Sequence, residues 1–452
     1  MLQFPHSKER RVFLFAAMAP LLSAPAHAVE LTYEQYKLPN GLNVILMPDP
    51  TLPQVVVNLW YGVGAKDEVD GRTGFAHLFE HLMFMGTTRL PGSGFDDLME
   101  ASGGYNNAWT SEDATDYYDV GPANLVDTLL WMEADRMEGL SRAMTQEKLD
   151  LQRDVVRNER RQSYEDAPYG EIWLVMPEAM YPAGHPYAHT VIGSHEDLQA
   201  ATVDDVVGFF NTWYVPGNAS LVVAGDFDPA AVKITIERLF GGLAARPVPE
   251  RQPVPAPSAP VTSLIELTDQ VRQPKSVMAW HSPAMYASGD AEMDLLADIL
   301  ADGRSSRLYR SLVHESGLAV EVSAGQMSQR LSSLFIIEVT PAEGHTLAEV
   351  EEAIAKEVAR LAAEGPTDAE LERVKNQLEM SFLERQESLQ GRASSLNSYY
   401  FNTGTPGYMQ ADLDRYRQAT KDGVKQAAAR LTVDTRCLIR VTPAPVAEET
   451  TP

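Results

Sequence analysis

The residues with the clearest chemical potential are two histidines and a glutamate in the run His77-Leu78-Phe79-Glu80-His81. On an α-helix, side chains four residues apart lie one turn above each other, so His77 and His81 present two imidazoles on one face. Glu80 can reach the same side and take a proton from a water molecule activated by a metal. This spacing is the inverted zinc-peptidase pattern H-x-x-E-H. The alternative interpretation is a partly exposed helix whose histidines and glutamate bind nothing.

The flanking residues predict the helix that positions these side chains. Gly71 and Gly74 lie before the run, and Gly86 is placed to end the helix after it. Two of the chain's 10 histidines therefore fall in a strongly apolar helix, where an unpaired imidazole is costly, and this favours a metal site. The apolar residues of this helix are Ala76, Leu78, Phe79, Leu82, Met83 and Phe84.

A zinc site with an open position for water needs a third protein ligand. Glu159 is the best candidate. It lies 78 positions after His81, in the segment 145–164, whose charged amphipathic pattern predicts a helix. Spacing alone leaves a second interpretation open, in which Glu159 is one more surface acid among the 63 Asp and Glu residues.

Several longer runs resemble one known family, the pitrilysin, insulysin and mitochondrial-processing-peptidase family of zinc metallopeptidases (M16). The resemblance covers nearly the whole chain after residue 28 and is most specific over 38–230. The runs are Leu-Pro-Asn-Gly-Leu at 38–42, Gly-Arg-Thr-Gly-Phe-Ala-His-Leu-Phe-Glu-His-Leu-Met-Phe-Met-Gly-Thr at 71–87, Gly-Gly-Tyr-Asn-Asn-Ala-Trp-Thr at 103–110, Thr-Asp-Tyr at 115–117, Trp-Tyr-Val-Pro-Gly-Asn-Ala at 213–219 and Leu-Val-Val-Ala-Gly-Asp-Phe at 221–227.

The resemblance implies one Zn²⁺ per chain, held by His77, His81 and Glu159, because the family's third ligand is a glutamate at about this distance. It also implies that Asn107 and Ala108 belong to an edge strand that pairs with the backbone of a peptide substrate. Many relatives have a second glutamate seven residues before the third ligand, where this chain has Gln152. An amide can donate a hydrogen bond but adds no charge, which predicts a differently tuned site.

The second half departs from the family at two positions. Active relatives carry an Arg and, seven residues later, a Tyr at the positions of Val313 and Val320. An Arg and a phenol donate hydrogen bonds to a developing oxyanion, and two valines cannot. Since the family often works as pairs of unlike subunits, the resemblance implies a related partner subunit that carries the Arg/Tyr pair. A self-sufficient homodimeric peptidase and a peptide-binding assembly subunit with little hydrolysis are the two alternatives.

The proline-rich segment 246–260 divides the chain and predicts an extended, semi-rigid linker. Residues 29–245 and 261–445 each mix amphipathic helices with strand-like runs, and each half ends with a helix followed by a strand, near 220–225 and 437–441. We therefore predict an α+β chain with an internal duplication and a short tail at 446–452. The resemblance implies two homologous α/β-sandwich halves, as in processing peptidases, that face each other across a substrate chamber.

The first 28 residues have the pattern of a secretory signal peptide. Lys8, Arg10 and Arg11 precede an apolar run at 12–22, and Ala26-His27-Ala28 is a small-x-small cleavage site. This pattern predicts an exported, periplasmic protein. The Arg pair also fits a twin-arginine signal, for which an ordinary basic region is the alternative. No segment after residue 28 is apolar for long enough to span a bilayer.

The chain is strongly acidic, with a formal net charge of −26. The predicted signal peptide holds three bases and one acid, so the remainder has a charge of −28. Such a field disfavours nucleic acid and is compatible with basic peptides, although a requirement for solubility explains it equally well. Cys437 is the only cysteine, so no internal disulfide can form. It lies in an alternating strand-like run that predicts a buried structural thiol.

Overall fold

The structure is a computed structural model, and it describes residues 31–445. The predicted signal peptide at 1–28 and the predicted tail at 446–452 lie outside the described residues. Within residues 31–445, no helix combines the length and the apolar character that crossing a bilayer requires.

Two mixed sheets form the framework of the described residues. The first sheet has the strand order β1-β2-β6-β3-β5-β4, and the second has the order β7-β11-β8-β10-β9. The strands are β1 (Glu34–Lys37), β2 (Asn43–Pro48), β3 (Gln54–Tyr61), β4 (Tyr105–Thr110), β5 (Thr115–Pro122), β6 (Ala219–Gly225), β7 (Leu264–Asp269), β8 (Lys275–Ser282), β9 (Ala319–Met327), β10 (Ser333–Pro341) and β11 (Cys437–Pro443).

Helices connect these strands, and residues 246–257 contain neither helix nor strand. The α-helices are α1 (Phe75–Leu82), α2 (Gly94–Ala101), α3 (Val126–Ala143), α4 (Gln146–Arg160), α5 (Glu171–Met180), α6 (His195–Ala200), α7 (Val203–Trp213), α8 (Pro229–Phe240), α9 (Asp290–Ala301), α10 (Leu347–Glu364), α11 (Asp368–Arg385), α12 (Leu389–Thr403), α13 (Met409–Gln418) and α14 (Lys421–Ala428).

The two sheets share one topology. The parallel pair β2–β6 corresponds to the parallel pair β7–β11, and every later neighbour in both sheets is antiparallel. Two pairs of equivalent helices also share an N-cap threonine. They are α4 and α11, with Thr145 and Thr367, and α7 and α14, with Thr202 and Thr420. The predicted α+β fold with two homologous halves is therefore confirmed.

One boundary differs from the sequence pattern. A strand-like sequence run at 275–280 predicts the first strand of the second half, but the structure places β7 before it. The run itself forms β8, the counterpart of β3. β7 alternates exposed and half-buried residues and pairs only with β11 among the described strands, so it carries little apolar signal.

The halves are joined because each places a helix against the sheet of the other. α12 of the second half packs against the first sheet, and its counterpart α5 packs against the second sheet. Because α5 and α12 occupy equivalent places in the two halves, the exchange is reciprocal. The buried contacts are Leu389, Ala393 and Leu396 with Ile45, Val56 and Val222, and Ile172, Met176 and Met180 with Val277, Ile336 and Ile439.

A buried chain of polar groups accompanies the α12 contact. Asn397 Nδ2 donates to Asn58 Oδ1 at 2.7 Å, and Asn58 Nδ2 donates to Asp116 Oδ1 at 2.6 Å. All three side chains are buried, and burial raises the pKa of Asp116 well above its usual range. An unpaired polar group here would cost about 1–3 kcal/mol, so the amide chain fixes how α12 sits on the first sheet.

Cys437 lies at the start of β11 and is free and fully buried, as predicted. It packs with the apolar residues that surround α5 on the second sheet. Burial raises the pKa of its thiol to about 11, so the thiol stays protonated and unreactive at neutral pH.

We expect Leu396→Ala to destabilise both halves together, because Leu396 is fully buried between them. The loss should be about 2–5 kcal/mol of unfolding free energy, the usual effect of a large-to-small core change. Urea unfolding followed by circular dichroism and tryptophan fluorescence measures it. Leu383→Ala is the control, since Leu383 lies on α11 and is 43% exposed. Two separate transitions, one of them at the unmodified midpoint, would contradict a coupled pair of halves.

Candidate metal centre

α1 carries the H-x-x-E-H residues on the side that faces away from the core. Its residues Phe75, Leu78 and Leu82 are buried in the core of the first half, whereas His77, Glu80 and His81 are only partly buried. The helix ends at Leu82, four residues before the predicted stop at Gly86. Gly86 instead has φ 73° in a tight turn, where a Cβ would lie 2.4 Å from the carbonyl oxygen of Leu90.

The two histidines point at each other across one turn of α1. Their Nε2 atoms are 3.3 Å apart, and the rings lie nearly at right angles. This arrangement follows directly from the four-residue spacing, because both side chains leave the same face of the helix.

α4 brings Glu159 to the same place. The helix begins after Thr145, whose side chain accepts a hydrogen bond from Lys148 N, and its residues Leu149 and Val156 are buried in the first-half core. Glu159 Oε1 lies 3.7 Å from His77 Nε2, and Oε2 lies 3.4 Å from His81 Nε2. The predicted helical segment 145–164 is helical from Gln146 onward, and its last turn, Arg161–Glu165, has π-helical hydrogen bonding.

These separations fit a tetrahedral metal centre. Ligand atoms about 2.0–2.1 Å from one zinc ion, at tetrahedral angles, lie about 3.3–3.4 Å from each other. The two histidine Nε2 atoms lie 3.3 Å apart, and each lies 3.4–3.7 Å from an oxygen of the Glu159 carboxylate. No other cluster of this kind occurs among residues 31–445. Two imidazoles and a carboxylate are ligands that zinc takes in catalytic sites, which leave a fourth position open.

The charge states suit metal binding. Burial and the neighbouring His81 lower the pKa of His77 to about 4, so His77 is neutral at pH 7. The hydrogen bond from His81 lowers the pKa of Glu159, which stays ionised. Burial lowers the pKa of His81, but the hydrogen bond to Glu159, the charges of Glu159 and Glu80 and the hydrogen bond to Gln152 together outweigh burial, and the pKa is raised. A metal ion therefore competes with a proton for His81, which makes metal uptake less favourable as the pH falls.

Glu80 lies beside these donors and has a separate partner. Thr110 Oγ1, at the end of β4, donates a hydrogen bond to Glu80 Oε2 at 2.5 Å. Burial raises the pKa of Glu80, and the Thr110 bond opposes that rise. A carboxyl with a raised pKa is suited to both accepting and returning a proton. The sequence pattern did not identify Thr110 as the partner of Glu80. The two residues are 30 positions apart, and only the packing of α1 beside β4 brings them together.

A cavity of about 610 Å³ opens beside Glu80 and His81. Asn107 and Gln152 line it, and Gln152 also raises the pKa of His81 through a hydrogen bond. Gln152 Nε2 contacts Met85 Sδ at 2.8 Å. Ala108 lies next to Asn107 on β4, the outermost strand of the first sheet, and its N–H is bonded to Asn107 Oδ1 at 2.8 Å. One edge of β4 is therefore free of a neighbouring strand within the described residues.

All of the residues that line this cavity come from the first half. Val313 instead packs against the core of the second half, and Val320 is 49% exposed on β9. Neither valine contributes to the lining of the cavity.

The second half has lost the donor residues. α9 corresponds to α1, and both helices begin after a glycine with positive φ, Gly289 and Gly74. The second-half equivalents of the donor positions can be found by counting from these two glycines and from the N-cap threonines of α4 and α11. The side chains at these positions cannot form the same set of metal ligands and base. They are Glu292 for His77, Leu295 for Glu80, Leu296 for His81 and Ser381 for Glu159.

Two family models match the chain in sequence order. "Insulinase (Peptidase family M16)" matches residues 43–181, and "Peptidase M16 inactive domain" matches residues 200–378. The second description agrees with the absence of donor residues from α9 and α11.

Known proteins resemble the chain over nearly its full described length. The "Zinc protease PqqE" of Helicobacter pylori is 29% identical over 89% of this chain and 91% of its own. A crystal structure of a protease from the same organism superposes with a TM-score of 0.84, 25% identity, and coverage of 92% of this chain and 100% of that one. The periplasmic protease PqqL of Escherichia coli has the same fold, with a TM-score of 0.74 and 21% identity, over 91% of this chain but 47% of that one. The matched family models, the duplicated fold and these relatives together show that the chain belongs to the M16 peptidase family.

Proposed function

We propose that this chain is a zinc-dependent endopeptidase that hydrolyses peptides or small unfolded proteins, and that it is the catalytic subunit of a heteromer. The observation that carries the proposal is the meeting of His77, His81 and Glu159 within ligand distance, with Glu80 beside them. The zinc protease relatives support the same chemistry.

His77, His81 and Glu159 would hold one Zn²⁺ per chain. Bound there, the ion would act as a Lewis acid that lowers the pKa of a water molecule toward about 7 and polarises the substrate carbonyl. Glu80 accepts the proton of the attacking water and then delivers it to the leaving amine, a role that its raised pKa favours. Thr110 orients the Glu80 carboxylate for both transfers.

The free edge of β4 is the proposed substrate-binding strand. A peptide that adds to this edge beside Asn107 and Ala108 gains main-chain hydrogen bonds, and the cavity receives its side chains. For this to happen, Asn107 Oδ1 must release the N–H of Ala108, which the side chain caps in the absence of a substrate.

Three observations support a partner subunit. The cavity beside Glu80 has no residue from the second half, and Val313 and Val320 offer no hydrogen-bond donor for an oxyanion. The chain also spans only 47% of PqqL, so that single chain is long enough for two units of this size. We propose that a related M16 subunit with an Arg/Tyr pair completes the chamber. A homodimer is the alternative. A subunit that only binds peptides is disfavoured by the intact donor set.

We further propose that the protein is exported to the periplasm after cleavage near Ala28. The basic and apolar pattern of the first 28 residues supports export, and a structural relative is described as periplasmic. Export by a twin-arginine route and by an ordinary signal peptide both remain compatible with Arg10 and Arg11.

Replacing the ligands and the base should separate their roles. We expect His77→Ala and His81→Ala to lose the single Zn²⁺, and Glu80→Gln to keep it while losing peptidase activity. The reason is that Glu80 transfers protons and does not ligate. Metal analysis and peptide cleavage of the three purified variants measure both effects. Zinc loss in Glu80→Gln equal to that in the histidine variants contradicts the assignment.

Glu159 can be compared with other acids of the same helical segment. We expect Glu159→Ala to weaken zinc binding strongly, because a ligand is removed. Asp154→Ala should leave zinc affinity unchanged, because Asp154 is exposed on α4 and has no partner among the described residues. Glu165→Ala should also bind zinc normally, since Glu165 pairs with Arg160 and His195 instead. Equal zinc affinities in all three variants would place the third ligand elsewhere.

The isolated chain should bind zinc but cleave peptides poorly. Each missing oxyanion donor costs about 10²–10³ in rate, or roughly 2.7–4 kcal/mol. A related subunit with the Arg/Tyr pair should raise kcat by at least that factor without changing the zinc content. Substituting that subunit's Arg should remove most of the gain while the complex stays assembled. High turnover by the zinc-loaded chain alone would show that it needs no partner.

A further inference from the structure

The metal-bearing helix α1 has no side-chain cap of its own. Its N-cap residue is Gly74, which has φ 84° and makes no capping hydrogen bond from a side chain. The first N–H groups of any α-helix have no partner within the helix, so another group must satisfy them when the helix end is buried. Gly74 cannot be replaced by a capping residue, since a Cβ there would lie 2.8 Å from the carbonyl oxygen of Ile192.

Glu68 satisfies these N–H groups from outside the helix. Its Oε2 accepts a hydrogen bond from Gly74 N at 2.9 Å, and its Oε1 accepts one from Ala76 N at 2.7 Å. The Phe75 N–H also interacts with the carboxylate. The Glu68 side chain is fully buried, and its nearest basic group is His189 Nδ1 at 3.5 Å.

A buried carboxyl is expensive unless it is well bonded. Burial raises the pKa of Glu68 well above its usual range, and the backbone donors of α1 oppose that rise. These donors lie at the positive end of the helix dipole, where a negative charge is most favourable. Glu68 is therefore a solvent-excluded group whose hydrogen bonds all go to the first turn of α1.

The turn that carries Glu68 is itself fixed on two sides. Asp67 Oδ2 accepts a hydrogen bond from Gly64 N at 3.1 Å, and Asp67 Oδ1 forms an ion pair with Arg251 Nε at 2.5 Å. Arg251 belongs to the proline-rich linker. Lys66 N donates to the carbonyl of Glu112, which follows β4, at 3.0 Å. The turn that carries Glu68 therefore contacts both the β4–β5 turn and the linker.

We propose that Glu68 is a positioning residue for the metal centre. It holds the first turn of α1, in which His77 is the third residue, and so fixes the imidazole of His77 relative to Glu159. This inference rests on the proposed zinc site. A helix of only eight residues has few other bonds at this end, so loss of the Glu68 contacts should move His77 without unfolding the sheet behind it.

Glu68→Gln tests the inference, because the amide keeps the shape of the side chain but replaces one of its two acceptor oxygens with a donor. We expect the folded variant to bind zinc about 10-fold more weakly, as changes to groups behind metal ligands commonly do. The visible spectrum of the Co²⁺-loaded protein should also shift, since it reports ligand geometry. Amide hydrogen exchange in the metal-free protein should speed up at residues 74–76. If Glu68 only stabilised the fold and did not position His77, its replacement would leave the Co²⁺ spectrum unchanged.

Glu178→Gln is the matched control. Glu178 is exposed and makes no hydrogen bond to α1, so all three measurements should match those of the unmodified protein. If Glu68→Gln does not fold, Glu68→Asp keeps the charge with a shorter reach and should change the measurements in the same direction. Collapse of both variants, with the control folded, would contradict a local role.

The outcomes separate this inference from the proposed zinc site. An unmodified protein that binds neither Zn²⁺ nor Co²⁺ contradicts the zinc site, and amide exchange at residues 74–76 then still tests the role of Glu68 on α1. Unchanged exchange, zinc affinity and Co²⁺ spectrum in a folded Glu68→Gln variant would overturn the inference while leaving the zinc site intact.

Discussion

Three donor atoms on two helices must lie within a few ångströms of one another, and most of the first half serves that requirement. The spacing within α1 brings His77 and His81 together without help from the rest of the chain. Glu159 arrives on α4, whose apolar residues pack into the same core as those of α1. A close-packed core transmits small shifts, so the relative placement of the two helices depends on every layer between them and the first sheet.

The second half keeps the same framework without the chemistry. At the positions of Glu80 and His81 it has Leu295 and Leu296, which are fully buried, and α9 is longer than α1 by four residues. On α9 these two positions are buried in the apolar core, whereas on α1 the same positions are partly exposed at the candidate metal site. The second half instead supplies α12, which closes the face of the first sheet that no first-half helix covers.

The reciprocal placement of α5 and α12 makes the two halves one structural unit. Each sheet buries one face against a helix of the other half, so each half alone would leave an apolar sheet face exposed. No residue of the second half lines the donor cavity. This is the physical basis for the proposed partner subunit.

Local spacing determined much of this protein. The four-residue spacing of His77 and His81, the acid at Glu80 and the buried strand around Cys437 follow from helix and strand periodicity, which the sequence displays directly. The division into two α+β halves also followed from the pattern of elements and the proline-rich segment. Family resemblance, and not spacing, singled out Glu159 among the acids.

Only the tertiary structure decided the contacts between distant segments. It decided that Glu159 lies within 3.7 Å of both histidines, that Thr110 bonds Glu80, and that Glu68 caps α1. It also decided that α5 packs on the second sheet and α12 on the first. An amphipathic helix shows that it buries one face but not which sheet it covers, and a glutamate shows no sign of the N–H groups that it will meet. Those choices depend on how the whole chain packs, so no local pattern contains them.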